Sequence, residues 1–243
     1  MAQFVLRFGQ TIRMVPKLVS RIWLICVALV ASLAWAEPAA ASLVFTLDQS
    51  GVNGPTGASF GTVKLDQIDA NTVRVTVTLN AGENFAGTGA GKALTWDLLN
   101  HPQTVTVTGL PAGFAYLAPS AANPGEVYGA SPFGNFQYAV TCWSQDIAGG
   151  ACLGGDGPTG PLVFDVHLST GLSLTDFIGN SNGFVFAVDI FQQSCNRGTG
   201  CTGVVGTNGN GTDVPEPASL LLFGAGVSGL AAYRRRRRLA KAA

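Results

Sequence analysis

Histidine, cysteine and carboxylate side chains are the groups best suited to move protons, attack carbon or hold a metal. The chain has two histidines, His101 and His167. His101 stands beside Pro102 in a loop-forming stretch. His167 sits in Asp165-Val166-His167, where an extended backbone puts it on the same face as Asp165. That pair could act as acid and base or as two metal ligands, but a solvent-facing strand position is the commoner meaning. No Gly-x-Ser-x-Gly elbow is present, and no serine has a base recognisable by spacing. Thirteen acids lie between Glu37 and Asp213. Any two could flank a glycosidic bond, so their presence alone selects no chemistry. No catalytic residue is assigned.

Asp48, Ser50 and Asn53, spaced by Gly51 and Gly54, offer oxygen ligands in a loop. The stretch lacks full EF-hand spacing and its closing glutamate. Ca²⁺ is therefore the one cofactor kept open, against an ordinary Asx/Gly turn, and no metal ligand is assigned. Trp96, Trp143, Tyr116, Tyr128 and Tyr138 could stack on sugar rings. Trp96 shares a strand face with Leu94 and Leu98, which favours core packing. Trp143, directly after Cys142 at a loop edge, is the better exposed aromatic.

Four cysteines outside the N-terminal segment, Cys142, Cys152, Cys195 and Cys201, allow three pairings. Cys142 with Cys152 and Cys195 with Cys201 are favoured, because each pair brackets a short glycine-containing loop. The gaps of nine and five residues are not zinc-knuckle spacings, and no histidine lies near them.

The elements that must position these groups are strands. Thr72 to Leu79 alternates without a break, with Val73, Val75, Val77 and Leu79 on one face and Thr72, Arg74, Thr76 and Thr78 on the other. That is a half-buried strand. Further strands are expected at 42–47, 61–65, 93–98, 103–108, 136–142, 161–168 and 183–191, separated by Gly, Pro, Asn and Asp clusters. No sustained helical period is present between them. The expected body, residues 37–195, is mainly β, an antiparallel β-sandwich or jelly-roll-like domain. Residues 196–213, rich in Gly, Asn and Thr, are expected to be a flexible linker.

Both ends of the chain have the form of addresses. Arg7, Arg13, Lys17 and Arg21 precede an apolar run from Ile22 to Leu33, and Ala34-Trp35-Ala36 is an A-x-A cleavage site. Residues 1–36 are thus an expected signal peptide, with 41 as the alternative end. At the other end, Val214-Pro215-Glu216-Pro217 is followed by the apolar stretch Ala218 to Tyr233, then Arg234, Arg235, Arg236, Arg237 and Arg238. Sixteen apolar residues make about 24 Å of helix, short of the roughly 30 Å hydrocarbon core unless Tyr233 and the arginines reach the interface. The segment is an expected transmembrane helix with its basic stop, 234–241, on the cytoplasmic side. Gly224-Ala225-Gly226-Val227-Ser228-Gly229 matches a dinucleotide-binding pattern in letters only. It lacks the preceding strand of a βαβ unit, and the next charges after it are arginines rather than the acid that would hold a ribose.

Ten of the fourteen basic residues fall in these two ends. Between Glu37 and Asp213, four bases against thirteen acids leave the body near −9. Such a surface disfavours nucleic acid, which needs clustered Lys and Arg.

The order Pro-Glu-Pro, apolar run, arginine cluster closely resembles the PEP-CTERM sorting signal of exopolysaccharide-producing bacteria. The matching positions are Val214, Pro215, Glu216 and Pro217, followed by Ala218-Ser219, so the signal spans 214–243. The body is similar in look, not in motif, to surface proteins with this tail, through Phe85-Ala86-Gly87-Thr88-Gly89 and Leu94-Thr95-Trp96-Asp97-Leu98. The resemblance implies recognition by exosortase, a membrane-embedded transpeptidase-like enzyme. It further implies an inner-membrane intermediate in a Gram-negative-type cell, then delivery to the cell envelope, surface or extracellular matrix. The expectation is a non-enzymatic exported protein associated with exopolysaccharide or biofilm. The alternatives are a carbohydrate-binding module, with or without Ca²⁺, and a glycan-active hydrolase.

Overall fold

The computed structural model describes residues 41–51, 57–88, 92–119, 127–152, 157–193, 202–209 and 211–214, with Gly226 and Gly229 as isolated helical positions. The chain divides into two units, residues 1–39 with 217–243, and residues 40–216. The second unit carries sixteen strands and one 3₁₀ turn at Leu174–Asp176 among the described residues.

The first sheet grows from β4 (Thr72–Leu79). Its alternation is realised as read: Val73, Val75 and Val77 are fully buried, Leu79 nearly so, and Arg74 and Thr78 are exposed. β3 (Gly61–Asp69) pairs with β4 across a turn at Ala70-Asn71, where the Asn71 N–H donates to Asp69 Oδ1 at 2.7 Å. β12 (Leu162–His167) pairs on the other side. The register sets Leu65 and Phe164 on either side of Val75, so β-branched and aromatic residues line up across strands. β1 (Ser42–Thr46), β7 (Thr106–Thr108) and β16 (Thr212–Val214) complete the order β16-β1-β3-β4-β12-β7.

The second sheet runs β2 (Gln49–Ser50), β15 (Thr202–Asn208), β14 (Phe184–Gln192), β6 (Leu94–Leu98), β11 (Tyr138–Thr141) and β8 (Ala115–Leu117). β5 (Glu83–Phe85) joins β14, and β13 (Phe177–Ile178) joins β6. All paired strands are antiparallel. All five residues of β6 are buried, including Thr95 and Asp97. The covering layer on its sheet's outer face is partly the hairpin of β9 (Tyr128–Gly129) and β10 (Asn135–Phe136). Phe133 and Phe136 there pack with Ala187 and Val204 in a separate small cluster.

The two sheets bury their inner faces in one shared apolar cluster. Phe45 meets Phe186 edge-on at 5.1 Å, and Trp96 lies 5.7 Å from Phe164 across the interface. Each such side chain contributes roughly 1.5–3 kcal/mol by leaving water.

Residues read as linker, 196–213, are in part sheet. Thr202–Asn208 is a seven-residue strand paired with β14 throughout, and Thr212–Val214 closes the first sheet. The body therefore extends to Val214, past its expected end at 195. Gly/Asn/Thr composition suggested flexibility, but Val205 is fully buried and Gly206 lies under the Phe133 ring, where a Cβ would come within 3.0 Å of Cδ1. Among the described residues no helix is long and apolar enough to cross a membrane. The expected signal peptide, Pro215–Pro217 and the expected apolar span 218–233, save the two helical glycines, lie outside them.

Candidate functional site

The sheet edge formed by β1 and β16 joins the two ends of the body. Ser42 pairs with Val214, Leu43 with Asp213 and Val44 with Thr212. The Thr212 hydroxyl donates to the Val44 carbonyl at 3.2 Å, and the Ser42 hydroxyl donates to Asp66 on the neighbouring strand. Gly211 is required at the entrance, since a Cβ there would meet the Phe45 ring at 2.7 Å. Pro215 follows in sequence, and a residue without an N–H cannot extend the ladder.

A second cluster surrounds the loop closed by the disulfide Cys142–Cys152, whose Cα atoms are 5.1 Å apart. Lys92 Nζ lies 2.8 Å from Asp146 Oδ2, which also accepts the Thr141 hydroxyl at 2.6 Å. The same ammonium sits 5.7 Å from the centroid of the half-buried Trp143 ring, within cation–π range. Trp143 packs so closely on Gly87 that a Cβ there would fall 2.7 Å from its own Cβ. Next to this, Asp189 of β14 is fully buried. Its Oδ2 accepts the N–H and hydroxyl of Thr88, each at 2.8 Å, while Oδ1 has no hydrogen-bond partner among the described residues. Burial pushes the Asp189 carboxyl up to about 6, although Thr88 and Lys92 favour its charged form.

The family model of the PEP-CTERM protein-sorting motif matches residues 213–238. The chain carries a PEP-CTERM sorting motif. No curated protein and no solved structure matches the chain. The motif implies processing by an exosortase membrane enzyme, and export with cell-surface sorting in bacteria. Its first two residues, Asp213 and Val214, belong to β16, so the motif begins inside the folded sheet.

The other candidate residues of the body that precedes the PEP-CTERM motif are distributed rather than gathered. The expected Cys142–Cys152 bond is present, while Cys195 and Cys201 lie outside the described residues, as do Glu216, Pro217 and Arg234 to Arg238. Asp165 shares the expected face with His167 but is engaged by Arg74, which donates to both carboxylate oxygens at 2.8 and 3.0 Å. His167 Nδ1 is 3.2 Å from the Thr72 hydroxyl. His101 sits at φ 47° next to Asn100 at φ 62°, with Nδ1 2.6 Å from Gln137 Oε1. The two histidines thus belong to different local networks. Asp48 accepts from Gln49 at 3.0 Å, and Asn53 and Gly54 are outside the described residues. Among the described residues no group of three His, Cys, Asp or Glu is placed to hold a metal.

Trp96 is core, as its strand face suggested, stacked on Tyr138 at 5.7 Å and Tyr116 at 6.2 Å. Tyr138 is fully buried and gives its hydroxyl to the Pro102 carbonyl at 2.6 Å, so it offers no ring face to a ligand. Burial raises the phenols of Tyr116 and Tyr138 above their ordinary range. Sequence reasoning missed Asp189. A lone acid inside Phe184-Val185-Phe186-Ala187-Val188-Asp189-Ile190-Phe191 is the signal that could have found it.

Proposed function

We propose that this chain is a non-enzymatic, exported β-sandwich protein of the bacterial cell surface or extracellular matrix, delivered through its PEP-CTERM tail. On this reading residues before Glu37 or Ser42 are removed on export, and 218–233 span the inner membrane until exosortase acts near Pro215–Pro217. The observation that carries the reading is the sorting motif at 213–238, joined without a linker to the last strand of an acidic β body. Association with exopolysaccharide or biofilm is the role such delivery serves. Deleting 214–243 tests the address: the body should appear in the medium or fail to reach the surface, and unchanged envelope retention would count against it.

A carbohydrate-binding role is the second reading, and the Lys92–Trp143–Asp146 cluster favours it. A partly exposed indole beside a fixed ammonium and carboxylate offers both a stacking surface and hydroxyl partners to a sugar. Pull-down on the producing strain's own polysaccharide, with and without chelator, tests it. Retention lost in Trp143→Ala supports the reading, chelator sensitivity adds Ca²⁺, and equal retention of both proteins removes this cluster from consideration.

A further inference from the structure

We infer that β16 is a releasable clasp: its pairing with β1 holds the start of the sorting motif closed, and processing of the tail requires that strand to peel from the sheet. This inference rests on the sorting reading above.

Three observations carry it. The matched motif starts at Asp213, yet the backbone of Asp213 and Val214 is paired with Leu43 and Ser42. An enzyme that grips an extended substrate along its backbone needs the edge that β1 occupies. Next, the stretch between the sheet and the apolar run is short. From Val214 to Ala218 the chain advances four residues, at most about 14 Å when fully extended. Releasing β16 lengthens the accessible stretch on the N-terminal side, back toward Gly211. Last, β16 is built to open. It has three paired positions, against five for β1 on β3 and eight for β3 on β4. Thr212 is exposed, and the residue before it is a glycine. Short edge strands with solvent-exposed hydrogen bonds lie at the low-stability end of a fold and open locally without global unfolding.

The clasp also explains why β1 is the partner. Ser42 is the first residue after the alternative leader end at 41, so the strand that holds the tail is the strand that export frees. A body that has not yet folded has no clasp, and a folded body exposes the motif only as often as β16 opens.

The test uses the full chain in a cell that processes it. Val44→Cys with Thr212→Cys places cysteines at Cα partners of the clasp, a spacing suited to a disulfide in an oxidising compartment. Thr62→Cys with Thr78→Cys places the same bond on β3 and β4, away from it. Thr212→Pro removes a ladder donor and loosens the clasp. Processed and unprocessed forms are followed by mass after a pulse of synthesis. The locked clasp should be processed about tenfold more slowly or worse, because the competent fraction is removed. Reductant should restore it, the control bond should leave the rate unchanged, and Thr212→Pro should raise it. Wild-type rate in the oxidised clasp variant, or a slower rate in Thr212→Pro, overturns the inference. If the wild-type chain itself stays full length, the sorting reading fails first, which is a distinguishable result.

Discussion

Ser42 and Val214 are paired across β1 and β16, so the first and last strands of the body leave the sheet side by side. In an antiparallel pair the chain enters β1 at the same end where it leaves β16. Ser42 and Val214, 172 positions apart in sequence, thus stand at one corner of this sheet. Both flanks are basic, at Arg7 to Arg21 and at Arg234 to Arg238, which on the membrane reading puts both on the cytoplasmic side and the body outside.

Trp96 should be the costliest single truncation in the body. It is fully buried, stacks on Tyr116 and Tyr138, and reaches Phe164 of the opposite sheet. Trp96→Ala is expected to lose about 3–5 kcal/mol, read as a lower denaturant midpoint. A loss below about 1 kcal/mol would mean that the core does not depend on this residue.

The Cys142–Cys152 bond closes a loop of sequence separation 10. Closing so short a loop restricts the unfolded chain modestly, so its removal should cost roughly 2–3 kcal/mol. Replacing both cysteines by serine, or adding reductant, should lower the melting temperature accordingly. Peptide mapping without reductant should recover Cys142 linked to Cys152, and a link from either to Cys195 or Cys201 would contradict the pairing.

Asp189 predicts the sign of one pH dependence. Its folded carboxyl titrates near 6 because of burial, above the 3.8 of an unperturbed aspartate. Between those values the folded state holds a proton that the unfolded state releases, so stability falls as pH rises from about 4 to 6 and is level above. The expected loss is on the order of 2–3 kcal/mol. Glu83 is shifted upward as well, mainly by burial, and contributes in the same direction. Asp189→Asn should therefore flatten the slope without abolishing it. A wild-type stability that rises over that interval would contradict the assignment.

How legible each element was depended on whether local pattern and burial agreed. β4 could be read to the residue because one face of it is solvent and the other core. β6 was read within one residue, but its burial on both faces was not, since part of its cover is β10, which lies against it from more than thirty positions later. β15 was missed because Gly203, Gly206 and Asn208 are turn residues by composition; here all three pair with β14, and Gly206 also fits under Phe133. Short strands such as β5, β8 and β13 have too few residues for a period to show. At the candidate sites, the sorting motif and Trp143 carried local signals. The Lys92–Asp146 contact joins residues 54 apart, and no spacing rule points to it.

Intact mass of the protein recovered from the envelope and the medium tests the central claim most directly. The account predicts a chain that has lost the segment before Glu37 or Ser42 and the segment after Pro215–Pro217. A full-length C-terminus still carrying Arg234 to Arg238 in the surface fraction would contradict it.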